Sequence, residues 1–285
     1  MGLVAAGTST GGWSVDPAAL LVVALASVWY VRATRRLHRA GSPWPTARTV
    51  AAATTVVAAV VATNGWVAAN DVSRFGAHAL QHLLLGLVIP IGIVLAAPLT
   101  LALRTSSPPT RQVLRSWSSG PVFRLACHPV VAGALFTVTI VAMYTTPVFE
   151  WSLTSAPVHV LVHAHLLVVG LLFFWPLIGF DPAPVRVPHP ARIGLLLLIL
   201  PLHALLAVTL MDADPPAGGA TAIHLAREAG VDPVAEQRLG AGLLWVIGDL
   251  VALAAVGIAC YRWWRADTAF TRTGSSTTPM IGTPS

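Results

Sequence analysis

Seven stretches of the chain are apolar for long enough to be helical membrane spans, and short polar segments separate them. They are Trp13 to Val31, Val50 to Ala69, Phe75 to Leu103, Pro129 to Pro147, Pro157 to Phe180, Ile193 to Met211 and Leu239 to Tyr261. A helix crossing a hydrocarbon core of ~30 Å needs roughly 20 mostly apolar residues, so the pattern predicts an all-α integral membrane bundle of seven transmembrane helices. Asp16 and Pro17 leave the first stretch a short apolar core. Pro90 and Pro98 are expected to kink the third or end it early, because each removes a backbone donor. No long polar break divides the apolar runs, so residues 1–270 read as a single transmembrane domain. Residues 271–285 are small, polar and proline-containing and read as a disordered cytoplasmic tail. Met1 to Trp13 carries no Lys or Arg, whereas a cleaved secretory signal starts with a positive region; the first span reads as a retained helix.

Composition excludes a soluble domain. Of 285 residues, 55% are hydrophobic and only 10% charged, with a mean hydropathy of +0.74; a soluble chain carries about 25% charged residues. All 17 basic residues are arginine, and their placement sets orientation. The connections after the first, third and fifth spans and the C-terminal tail hold 14 of them, against three (Arg74, Arg227 and Arg238) on the opposite side. Cytoplasmic loops are enriched in arginine, so the N-terminus is expected outside and the C-terminus in the cytoplasm. The net charge of +6 then follows from topology and from attraction to anionic membrane lipids, and no nucleic-acid partner is implied. Cys127 and Cys260 fall at cytoplasmic helix ends and form neither a disulfide framework nor a CxxC motif.

With that threading, six of the ten histidines, His78, His82, His159, His163, His165 and His203, lie in the outer leaflet. Ionisable groups inside a membrane are costly and mark a site by default. His78 and His82 are four residues apart and share a helix face; so do His159 and His163, whereas His165 is turned well away. Met143 ends the fourth span on this side, Met211 the sixth, and Asp249 lies near mid-membrane in the seventh. Converging imidazoles and thioethers suit copper, with Gln81 and Asp249 as outer partners of the ligands. Paired histidines on facing helices would equally suit haem. Ala79 stands where a zincin would need Glu, which argues against a metalloprotease.

Four motifs resemble the CtaG-type assembly factors of bacterial cytochrome c oxidase. HALQHLLL (His78 to Leu85) is similar to the family's H-M-x-Q-H-L-L motif, and HLLVVGLLFFWPLIGFDPAP (His165 to Pro184) to its His, FFW and DP block, with His159 at a matching upstream place. LPLHALLAVTLM (Leu200 to Met211) and EQRLGAGLLWVIGDL (Glu236 to Leu250) resemble its sixth- and seventh-span motifs. The chain departs from the pattern at Ala79, where the family usually has Met, and in the Glu236-Gln237-Arg238 run; His163 is not part of the pattern. The resemblance implies a non-enzymatic protein of the bacterial plasma membrane that handles copper for cytochrome c oxidase subunits. With the residue pattern, it points to His78, His82, His159, His165 and His203 as metal ligands; His163, Gln81, Met143, Met211 and Asp249 are read from the residues as accessory or outer partners. A haem-binding cytochrome using the same histidines, or a metal-free assembly scaffold, are the alternatives.

Overall fold

A computed structural model describes residues 12–274. They are helical throughout, apart from connections and one isolated antiparallel bridge between Ser14 and Gly65. Helix α1 (Pro17–Arg39) begins where Asp16 caps it: the carboxylate accepts from the backbone N–H of Ala18 at 2.9 Å and of Ala19 at 3.0 Å, and Pro17 takes the first helical position. There the missing N–H of proline loses no bond. The helix therefore starts after Trp13 and continues beyond Val31 through the arginine run. The second span is α2 (Thr46–Thr63) followed by α3 (Gly65–Asn70), divided where Asn64 is extended and Gly65 takes φ 80° to pair with Ser14.

The third span is broken twice, each time by a proline. It comprises α4 (Phe75–Leu83), a π-helical turn (Leu84–Val88), α5 (Ile89–Ala96) and α6 (Pro98–Thr105). Pro90 has no N–H for the Gly86 carbonyl, and its ring would collide with that oxygen in a regular helix. The wider turn, closed by the Ile89 N–H on the Leu84 carbonyl, removes the collision. Pro98 disfavours the right-handed helical conformation in the residue before it, and Ala97 takes φ 54°, ψ 56°.

The restart at α6 leaves N–H groups that Asp181, buried in the connection after the fifth span, satisfies. Its carboxylate accepts from Leu99 N at 3.0 Å and Thr100 N at 2.6 Å. Burial pushes the Asp181 carboxyl above its ordinary range, against the downward pull of these bonds. Asp181→Ala removes both acceptors, and the expected loss is about 2 kcal/mol, partly restored by Asn. Thermal unfolding in detergent measures it; unfolding of the alanine variant at the wild-type temperature would show that α6 needs no cap.

Helices α7 (Pro108–Ser118) and α8 (Pro121–Ala126) fill the arginine-rich connection after α6. The fourth span, α9 (Pro129–Thr145), bends by 67° into α10 (Val148–Thr154). Then follow α11 (Ala156–Ile178), α12 (His189–Asp212), the short α13 (Gly219–Glu228) and α14 (Pro233–Gly274). Among the described residues, six helical stretches are long and apolar enough to cross a membrane, and α9 with α10 is the seventh when counted as one span. The third span is the most enclosed and α1 the least. The chain before Gly12 and the tail beyond Gly274 lie outside the described residues, so the retained start and most of the tail fall there.

Phe136, Phe173, Phe174, Leu177, Ile178 and Leu196 form a buried core between α9, α11 and α12, with Phe136 and Phe173 stacked at 4.8 Å. It fills the half of the bundle leading toward Asp181. His78, His82, His159, His163, His165 and His203 occupy the other, arginine-poor half.

Candidate metal centre

Helices α4 and α11 both begin at the arginine-poor end, and each carries two histidines one helical turn apart. The four rings form a closed quadrilateral. Ring centres are 4.0 Å apart for His78 and His82, 5.6 Å for His82 and His163, 4.2 Å for His163 and His159, and 6.2 Å for His159 and His78. His78 and His82 are buried. Phe149 packs 4.8 Å from His78, and Tyr144 and Phe75 pack against Phe149. The 67° bend between α9 and α10 is what brings Phe149 over the rings.

Backbone carbonyls orient two of the imidazoles. His78 Nδ1 lies 3.0 Å from the Asp71 carbonyl oxygen and His159 Nδ1 lies 3.1 Å from that of Ser152. A carbonyl only accepts, so both rings donate from Nδ1 and their Nε2 atoms are left to act as ligands. His78 Nε2, His82 Nε2 and His163 Nε2 are buried without any hydrogen-bond partner. An orphaned buried polar atom costs about 1–3 kcal/mol, and three lie in this one cluster; on His78, whose Nδ1 donates, the orphan is a lone pair free to act as a ligand. Tyr144 Oη, 3.4 Å from His82 Nδ1, is the partner that orients the third ring.

Asp71 supplies negative charge. It sits in the turn between α3 and α4, is buried, and places Oδ2 3.2 Å from His159 Nε2. With Nδ1 already donating to Ser152, a neutral His159 would turn its Nε2 lone pair toward this carboxylate. The contact is favourable only with a second proton on the ring or a cation between the two groups. Burial raises the Asp71 carboxyl, but pairing with His159 outweighs it and holds the group below its usual range. Ligand atoms of Asp71, His159 and His163 lie within 4.8 Å of one another, a separation one metal ion can span.

The other residues singled out in the sequence are dispersed. His165 is exposed on the far side of α11, with Nε2 2.9 Å from Thr139 Oγ1. His203 is buried on α12 beside Asp249 of α14. Met143 is buried and, with Tyr144, lines a cavity of ≈ 40 Å³ that His82 and His203 share. Gln81 spends its amide N–H on the Ala62 carbonyl at 2.8 Å, tying α4 to α2. Met211 packs against the apolar core, outside the quartet. Asp71 is the member that sequence reasoning missed. Its one local signal is an acid in the turn just ahead of a helix opening with two histidines four apart.

A family model described as cytochrome c oxidase caa3 assembly factor matches residues 28–266. Uncharacterized proteins of Mycobacterium bovis and Mycobacterium tuberculosis are each 31% identical to the chain over 264 residues, as is one of Mycobacterium leprae. The match covers 90% of this chain and 40% of each relative, so the chain spans less than half the length of the curated relatives it matches. No solved structure matches it significantly.

Proposed function

The chain belongs to the cytochrome c oxidase caa3 assembly factor family, and from that premise we propose that it serves oxidase assembly by holding copper between α4 and α11. The ligands are His78, His82, His159 and His163 with Asp71. One observation carries this: ligand atoms of Asp71, His159 and His163 lie within 4.8 Å of one another, beside the buried and unpartnered Nε2 atoms of His78 and His82. Imidazole suits copper, and the carboxylate helps hold it in the divalent state. Copper is cargo in this reading, passed on by ligand exchange to an oxidase subunit. The arginine asymmetry supports a site toward the outer face of the membrane.

The rings pack edge to face on one another and on Phe149, which leaves no flat slot between them for a porphyrin plane. That favours copper over haem. A pure scaffold would be expected to satisfy its buried histidines, and this one leaves them open. His159→Ala/His163→Ala is expected to lose one equivalent of copper from detergent-purified protein and, in cells, to lower the copper content of the oxidase. Retention of the full copper load by a folded, inserted variant would overturn the proposal. A histidine-dependent Soret band after incubation with haem would replace copper by haem.

A further inference from the structure

His203 and Asp249 stand apart from the quartet and face each other across α12 and α14. His203 is 3% exposed, and its Nδ1 has no hydrogen-bond partner. Asp249 Oδ1 is also unpartnered and lies 3.8 Å away, too far for a hydrogen bond. The approach is built into α14: a Cβ at Gly248 would fall 2.8 Å from His203 Nδ1, so only glycine lets the ring lie against this helix. The Asp249 side chain keeps a quarter of its surface exposed (24%), within a membrane span. The Trp245 indole lies beside the carboxylate, and one neutral donor does not balance a charge at this depth.

We propose that His203 and Asp249 hold a second transition-metal ion, deeper in the bundle than the quartet. The gap fits one ion bonded at ~2.1 Å to each atom. Nitrogen and carboxylate oxygen together suit a divalent copper or zinc ion better than a hard cation. His203 is nine residues inside the end of α12, whereas His78 is three residues inside the start of α4. The cavity shared by His203 and His82, with the Met143 thioether on its wall, joins the two seats. An ion released from His82 therefore has somewhere to go without leaving the bundle.

The seat is defined by its own residues, and only the copper identity of its ion rests on the proposed function. Full-chain protein in detergent is loaded with copper(II) chloride, desalted, and assayed for bound metal beside its thermal unfolding. Wild type is expected to hold two equivalents, His159→Ala/His163→Ala one, His203→Ala one, and the triple variant none. Asp249→Asn, close in shape, keeps the fold and weakens the ion retained by His159→Ala/His163→Ala at least tenfold. Unchanged stoichiometry in both His203→Ala and Asp249→Asn, with wild-type unfolding, overturns the second seat. A single equivalent lost only with His203→Ala removes the quartet reading and leaves this one standing.

Discussion

Replacing Asp71 by asparagine is expected to weaken copper binding at least 100-fold, about 2.7 kcal/mol, while leaving the protein folded. The two amino acids have the same shape, and the backbone carbonyl of residue 71, which receives His78 Nδ1–H, is untouched. The asparagine amide N–H can donate to the His159 Nε2 lone pair, which suits the tautomer that Ser152 imposes. What disappears is the negative charge that favours a cation between residue 71, His159 and His163. Suppose instead that Asp71 merely pairs with a protonated His159. Removing one partner of a buried ion pair would then cost about 3–5 kcal/mol of stability, and copper affinity would hardly change. Competition with a chelator of known affinity and thermal unfolding in detergent separate the two. Loss of stability with wild-type copper binding would demote Asp71 to a structural partner.

Asp71 also shows where sequence reasoning stops. The spans were legible because a membrane helix needs a long apolar run, and all seven runs are helical. Their ends were less so, because a cap decides them: Asp16 with Pro17 delays α1, and α14 starts at Pro233, ahead of its apolar stretch. The spacing of four between His78 and His82, and between His159 and His163, was readable as a shared face. Helical geometry alone sets His165 aside, since six residues from His159 is a rotation of about 240°. The family resemblance draws His165 into the ligand set, and the structure places it against Thr139 on the exposed side of α11. No local pattern links Asp71 to His159, 88 positions later, or His203 to Asp249. Those pairings depend on which helices pack together and on the bend at Pro147. Asp181 is similar: the DP step was visible as a motif, but its capping role needs the break at Ala97 to exist.

The largest effect on stability is expected at Gly170, where α11 crosses the third span. A Cβ there would press on the Gly86 carbonyl oxygen and lie 2.6 Å from Pro90 Cγ and 3.0 Å from its Cβ. None of these atoms can yield. The oxygen belongs to the π turn that Pro90 requires, and the proline ring has no rotamer to change. Close backbone approach through small residues is how membrane helices gain packing energy without a hydrophobic drive between them. Gly170→Ala therefore separates α11 from the third span, at about 3 kcal/mol, the upper end of ordinary overpacking, and valine exceeds this. Gly194→Ala on α12 is the control, since a Cβ there meets nothing within 4 Å; it should unfold at or above the wild-type temperature. The same displacement carries His159 and His163 away from His78 and His82, so copper affinity is expected to fall roughly tenfold with the loss of stability, as when supporting contacts of a metal site are removed. Gly170→Ala with wild-type unfolding and full affinity would mean that the two helices are not held at this distance. Asp71→Asn and Gly170→Ala form a pair: the first separates metal binding from stability, and the second makes them fall together, as a site shared between two helices requires.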